Sequence, residues 1–152
     1  MKVLNCINIL EKKMKFLIFG LLSFLIIFTE ARIEFTQTAK DCIAEIKTDE
    51  ETIRSILEEN PLFPEDNELV LKFVECKYRS HINDNNEIIA DDSLKDYVTE
   101  ILAKRLNGKT KLAALIANDC VEHCKDQKGD SKGKTGVKLV NCVKQRFWEY
   151  VK

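Results

Sequence analysis

Leu71-Lys72-Phe73-Val74-Glu75-Cys76-Lys77-Tyr78 carries a single cysteine in a run whose apolar residues recur at helical spacing. With Leu69 and Val70 before it, apolar side chains fall at 69, 70, 73, 74 and 76, which is one side of an α-helix and not the alternation of a strand. That helix is expected to reach roughly Ser80. Upstream, Phe35, Ala39, Cys42, Ile43 and Ile46 give a first amphipathic helix. Thr48 and Glu51 have capping-box spacing for a second, with Ile53, Ile56 and Leu57 as its buried stripe. Asn60 and Pro61 end it, and Leu62, Phe63 and Pro64 form an apolar loop. Downstream, residues 83–86 are a polar break, and Asp91 or Asp92 caps a fourth helix carrying Leu94, Tyr97, Val98, Ile101 and Leu102. Asn107 and Gly108 stop that helix. Thr110 opens a fifth with Leu112, Leu115, Ile116 and Val121 on its apolar side. Residues 125–136 read as a Lys- and Gly-rich connection, and a last helix carries Val137, Val140, Val143 and Phe147. No segment alternates with period two and nothing reads as a hairpin turn. The fold class is therefore all-α, with about six helices.

The N-terminus reads differently. Lys12, Lys13 and Lys15 flank an apolar run over residues 16–28 broken only by Gly20 and Ser23, and Thr29 and Ala31 are the small residues of a cleavage site. A membrane span needs about 20 apolar residues, and Glu30 and Arg32 close this run first. Residues 1–31 are expected to be a removed secretory signal and residues 32–152 one helical domain; Met14 is an alternative start. Removing residues 1–31 takes four lysines and two glutamates from 24 basic and 25 acidic residues, leaving a net charge of −3. A mildly acidic domain without a basic patch has no electrostatic case for nucleic acid. Cys6 leaves with the signal, so Cys42, Cys76, Cys120, Cys124 and Cys142 remain. In a secreted chain such cysteines are disulfides before they are metal ligands, and an odd number leaves one thiol over.

The central stretch, followed by the polar break and an acidic cap, resembles the insect odorant- and pheromone-binding family. There the corresponding helix carries two cysteines separated by three residues; here Lys72 occupies the earlier place. Gly133 stands where the family's penultimate cysteine would fall. The two absent cysteines are the pair bonded to each other in the six-cysteine pattern, so the chain is similar to the subgroup called minus-C. The resemblance implies a bond from Cys42 to Cys76 and another from a fifth-helix cysteine to Cys142. The first closes a loop of about 35 residues, worth on the order of 3–4 kcal/mol. Cys120 is slightly preferred as the partner of Cys142, with Cys124 the alternative one helical turn on. Lacking the bond at Lys72 and Gly133, the start of the last helix is expected to open as the ligand's door. Restoring that bond with Lys72→Cys and Gly133→Cys is expected to raise the melting temperature.

Cys120, His123 and Cys124 have spacing for zinc on a helix, but no fourth ligand is near and no metal or other cofactor is expected. His81 is either a helix-end cap or, by the resemblance, a pH sensor. No nucleophile has a base, no Gly-rich loop cradles phosphate, and no carboxylates have reason to converge, so no catalytic residues are assigned. The resemblance further implies an apolar cavity between converging helices. Its candidate wall is Phe35, Ile43, Ile53, Leu57, Leu62, Phe73, Val98, Leu102, Leu115, Ile116, Val140 and Phe147, with Tyr78 and Tyr97 as hydroxyl donors. The implied function is a secreted carrier of a small hydrophobic ligand through extracellular fluid, acting as a monomer or weak homodimer, with a membrane odorant receptor as a further partner. Two alternatives stand beside it: a venom- or salivary-type protein using the scaffold to engage another protein, and saposin-like lipid contact, which needs the first and last cysteines joined.

Overall fold

The computed structural model describes residues 33–151, so the signal read over residues 1–31 lies outside the described residues. Among these residues the regular elements are α1 (Gln37–Glu45), α2 (Glu50–Glu59), α3 (Glu68–Tyr78), α4 (Asp92–Arg105), α5 (Thr110–Cys124) and α6 (Lys132–Val151). The fold is all-α, as the periodicity indicates.

Short polar side chains start most of these helices by satisfying an orphan backbone N–H. Thr36 accepts from Ala39 N, Asn67 from Val70 N and Asp91 from Leu94 N. At α2 the cap is Asp49 and not Thr48: its carboxylate accepts from both the amide and the hydroxyl of Thr52, at 2.9 and 2.8 Å. A carboxylate beside a helix N-terminus outcompetes a neutral hydroxyl one residue earlier. Asn107 and Gly108 end α4 with positive φ of 52° and 80°, and Gly108 N returns to Ala103 O. Residues 83–86 form a turn, Asn86 having φ 59°, that brings Ile82 and Ile88 into a single antiparallel bridge. The absence of period-two signal is thus compatible with a one-pair ladder that no run of alternation could announce.

The connection expected over residues 125–136 is shorter, because α6 already begins at Lys132. Ser131 Oγ accepts from Lys134 N, and Gly133 and Gly136 are used for close packing, not flexibility. A Cβ at Gly133 would stand 2.8 Å from the Leu71 carbonyl oxygen, and one at Gly136 would stand 2.6 Å from Val74 Cγ1. Helix α6 therefore lies hard against α3, and Gly133, Thr135, Gly136 and Val137 are buried there. Thr135 Oγ1 donates to Asn86 O and accepts from Gly129 N, tying the connection to the 83–86 turn. The start of α6 is closely packed on α3 and is not a loose flap, which removes the basis for a door there.

Around α6 the other helices arrange in two groups. Helices α1 and α2 pack on α3, and α3 packs on α6; α4 packs on α5, and α5 packs on α6. Cys42–Cys76 staples α1 to α3, and Cys124–Cys142 staples α5 to α6, with Cα separations of 5.7 and 5.8 Å. The preference for Cys120 is corrected: it is buried and free. The antiparallel register explains this. Arg146 Nε donates to Asp119 Oδ2 at 2.7 Å and Tyr150 OH donates to the same oxygen, which sets Cys124 opposite Cys142 and leaves Cys120 a turn away, beside Val143 O. With Cys124 spent on a disulfide, the zinc trio of Cys120, His123 and Cys124 lacks a ligand. The fully buried side chains include Ile53, Val70, Phe73, Val74, Leu94, Val121, Val137 and Leu139. Each contributes about 1.5–3 kcal/mol by leaving water.

Candidate functional site

Helix α4 is held by α5 alone: among the described helices no other comes within 8 Å of it, Cα to Cα. Helices packed at about 8–10 Å between axes bring Cα atoms, which lie about 2.3 Å off each axis, nearer than that limit, so α3 and α6 stand off from α4.

At one end the crossing is aromatic. Tyr97 of α4 meets Tyr78 of α3 edge-on at 5.3 Å and stacks on His81 at 5.6 Å. Lys77 Nζ lies 5.6 Å from both the Phe73 and Tyr97 ring centres and 5.9 Å from that of Tyr78. Phe73 continues to Phe35 at 6.0 Å. Burial, then the charge of the neighbouring Tyr97 and a hydrogen bond with it, push the Tyr78 hydroxyl well above its ordinary value, so it stays protonated. His81 is 7% exposed and its Nδ1 has no hydrogen-bond partner; burial holds the ring below its usual value, with Asp91 opposing. It is an interior residue of the aromatic cluster and not a helix cap.

At the other end the crossing is cationic. Lys144 of α6 sits over the Phe63 ring at 4.9 Å and the Trp148 ring at 6.0 Å, close enough to Arg105 at the end of α4 for their charges to interact. Asn141 fixes Phe63 there, accepting from its amide at 2.7 Å and donating to its carbonyl at 2.9 Å. On α4, Leu94, Val98 and Leu102 make one buried stripe. Tyr97, Ile101 and Arg105, also four residues apart, make a second row, whose Tyr97 end reaches Tyr78 of α3. On α6 the corresponding row is Val140, Lys144 and Trp148, all partly exposed.

Of the expected wall, Ile43, Ile53, Leu57, Phe73, Tyr78, Val98, Leu102, Ile116 and Phe147 are buried, and Phe35, Leu62, Tyr97 and Val140 are partly exposed. Leu115 is corrected: at 72% exposure it points to solvent, because α5 turns Ala113, Ile116, Ala117 and Cys120 inward. Spacing of three and four admits either side of residues 115 and 116, and the structure uses the second. Lys77, Lys144, Phe63 and Trp148, which take part in these ring contacts, are absent from the expected wall. A separate surface recess of about 280 Å³, lined by Glu87, Ile88 and residues 125–128, is walled mainly by charged side chains and holds none of the candidates.

Two disulfides staple α1 to α3 and α5 to α6, and aromatic contacts join α3 to α4. The model of the PBP/GOBP family matches residues 28–146. This chain belongs to that family. PBP/GOBP proteins are insect odorant- and pheromone-binding proteins that take small hydrophobic ligands, and they are binders, not enzymes. No curated protein and no solved structure matches the chain. Among the described residues no helix is long and apolar enough to cross a membrane.

Proposed function

We propose that the protein is an extracellular carrier that holds one small hydrophobic molecule in the interval between α4 and the α3–α6 pair. The observation that carries this reading is that interval itself, spanned only by side chains, in a chain whose family binds such ligands. Binding there removes ligand and wall from water at about 25 cal/mol/Å². Tyr78 and Tyr97 at one end, or the cations at the other, set orientation. The ligand is an odorant, pheromone or lipid-like molecule, delivered after transit through aqueous fluid. Native mass spectrometry of protein purified from its source tests this: a 1:1 complex with a small molecule that organic solvent extracts is expected. A chain that emerges bare, takes up no member of an apolar panel and instead co-purifies in a stoichiometric protein complex would favour the interaction-protein alternative.

A further inference from the structure

The exposed apolar side chains are gathered in one region. Among the described residues the large ones are Ile89, Leu112, Leu115, Tyr150 and Val151, and four of these five lie at the start of α5 and the end of α6. Leu112, Leu115 and Asp119 share one face of α5 at spacings of three and four, and Tyr150 OH donates to Asp119, so the end of α6 lies on that face too. Single exposed apolar residues are ordinary; a cluster marks a contact surface. The charge beside it is of one sign. Residues 101–118 hold Lys104, Arg105, Lys109 and Lys111 and no acid, and all four are exposed. Lys104 pairs with Glu100, whereas no ion pair among the described residues joins the other three to a carboxylate. Asp119 and Glu149 are both taken by Arg146. Helix α5 starts with neither a side-chain cap nor an acid in its first turn, so the positive end of its dipole is not offset. Lys111 stands four residues before Leu115, which puts charge and hydrocarbon on the same face. The expectation of a domain without a basic patch is corrected at this corner.

We propose that this corner docks on a membrane surface containing anionic phospholipid, with Lys109 and Lys111 among the headgroups and Leu112 and Leu115 in the outer hydrocarbon. Charge and exposure together choose that occupant. A second copy related by a two-fold axis would set the patch against itself, with Arg105, Lys109 and Lys111 meeting like charges and no free acid. A soluble polyanion would satisfy the lysines and leave Leu115, 72% exposed, in water. An anionic bilayer satisfies both, since basic side chains are attracted to its surface and apolar ones enter below the headgroups. Tyr150 adds the amphipathic ring favoured at that boundary. The contact is peripheral, as no described helix is long and apolar enough to span. The inference goes beyond the carrier reading and does not depend on it: it concerns where the protein works and not what it holds.

Co-sedimentation of the protein, secreted from insect cells, with vesicles of phosphatidylcholine alone and of phosphatidylcholine mixed with phosphatidylserine is the test. The mixed vesicles are expected to bind it about tenfold tighter or more, and less so as salt is raised. Lys109→Gln combined with Lys111→Gln is expected to weaken that binding about tenfold or more, and Leu115→Ser about tenfold. All three positions are exposed, and an unchanged helical spectrum and melting temperature show that the variants fold. Lys72→Gln, which removes a lysine from α3, is expected to bind as the native protein does. Equal affinity for the two vesicle types, or none for either, overturns the proposal. Native-like binding in both the lysine variant and Leu115→Ser overturns it by placing the contact elsewhere. A dimer that Leu115→Ser dissolves, in a protein that binds no vesicle, overturns it in favour of a second copy. Capture on heparin without vesicle binding, lost in the lysine variant and kept in Leu115→Ser, overturns it in favour of a soluble polyanion.

Discussion

Cys120 and His81 are both groups whose chemistry burial suppresses. Burial first, and then the Asp119 charge, push the Cys120 thiol up to about 11, so almost no thiolate exists at neutral pH. In protein of residues 32–152, Cys120 is expected to stay unmodified by iodoacetamide in the native state, while the unfolded, unreduced chain is alkylated there and nowhere else; unreduced peptide maps should then show Cys42 with Cys76 and Cys124 with Cys142. Fast alkylation of the native thiol would contradict its burial. At His81 the folded state favours the neutral ring, since burial outweighs the pull of Asp91 in an environment otherwise made by Lys77, Tyr78 and Tyr97. An unfolded histidine takes up its proton near pH 6.5, a value lying above the folded one. The stability due to the neutral ring is therefore complete above about pH 6.5 and is lost as the pH falls through the lower folded value. The melting temperature should drop more between about pH 7.5 and pH 5 in the native sequence than in His81→Phe, which keeps a ring and removes the titration. Parallel curves would show that His81 does not contribute. Neither behaviour is legible in the sequence, where a histidine or cysteine on a helical face gives no sign of which neighbours will enclose it.

At the scale of elements, α3 and α6 meet through missing side chains. Gly133→Ala forces a Cβ against the Leu71 carbonyl, a backbone atom that cannot rotate away, and is expected to cost about 1–3 kcal/mol by denaturant unfolding. Unchanged stability would mean that the helices separate freely. The same contact reverses the expectation for Lys72→Cys with Gly133→Cys: the bond must first push the helices apart, so the melting temperature should fall, not rise. Asn141 is the other tie, and Asn141→Leu leaves the Phe63 amide and carbonyl without partners, at about 1–3 kcal/mol. Helix stops and most caps were legible because each depends on a local spacing, whereas the Cys42–Cys76 staple, between residues 34 apart, followed from the family resemblance. Where α6 begins was not legible: two glycines near a helix start read as a flexible connection unless the surface they approach is known. The choice between Cys120 and Cys124 was equally out of reach, since it is set by Asp119 meeting Arg146 across 27 positions of sequence.

For the whole molecule, periodicity identified which helix faces turn inward, and most of the expected wall is indeed interior. It could not say which helices pack and which stand apart, because one helix's stripe carries no information about the distance to the next. The interval beside α4 follows from tertiary arrangement, and its cations read in sequence as ordinary solvated lysines and arginines. Ile101 stands midway on the α4 row that reaches α3 through Tyr97, a row about 12 Å long from Tyr97 to Arg105. A larger side chain at that position separates a chamber from a filled core. In a chamber, Ile101→Trp occupies the space of the ligand and keeps the melting temperature; in a filled core it overpacks and lowers stability by about 1–3 kcal/mol. The deciding measurement is a titration of native and Ile101→Trp protein with a fluorescent apolar probe, with melting temperatures taken on the same samples. The expected result is saturable 1:1 binding to the native protein at micromolar affinity, lost in Ile101→Trp without loss of thermal stability. A well-folded native protein that binds no probe from acid to neutral pH, or an Ile101→Trp protein that melts earlier and binds as before, would contradict a ligand chamber beside α4.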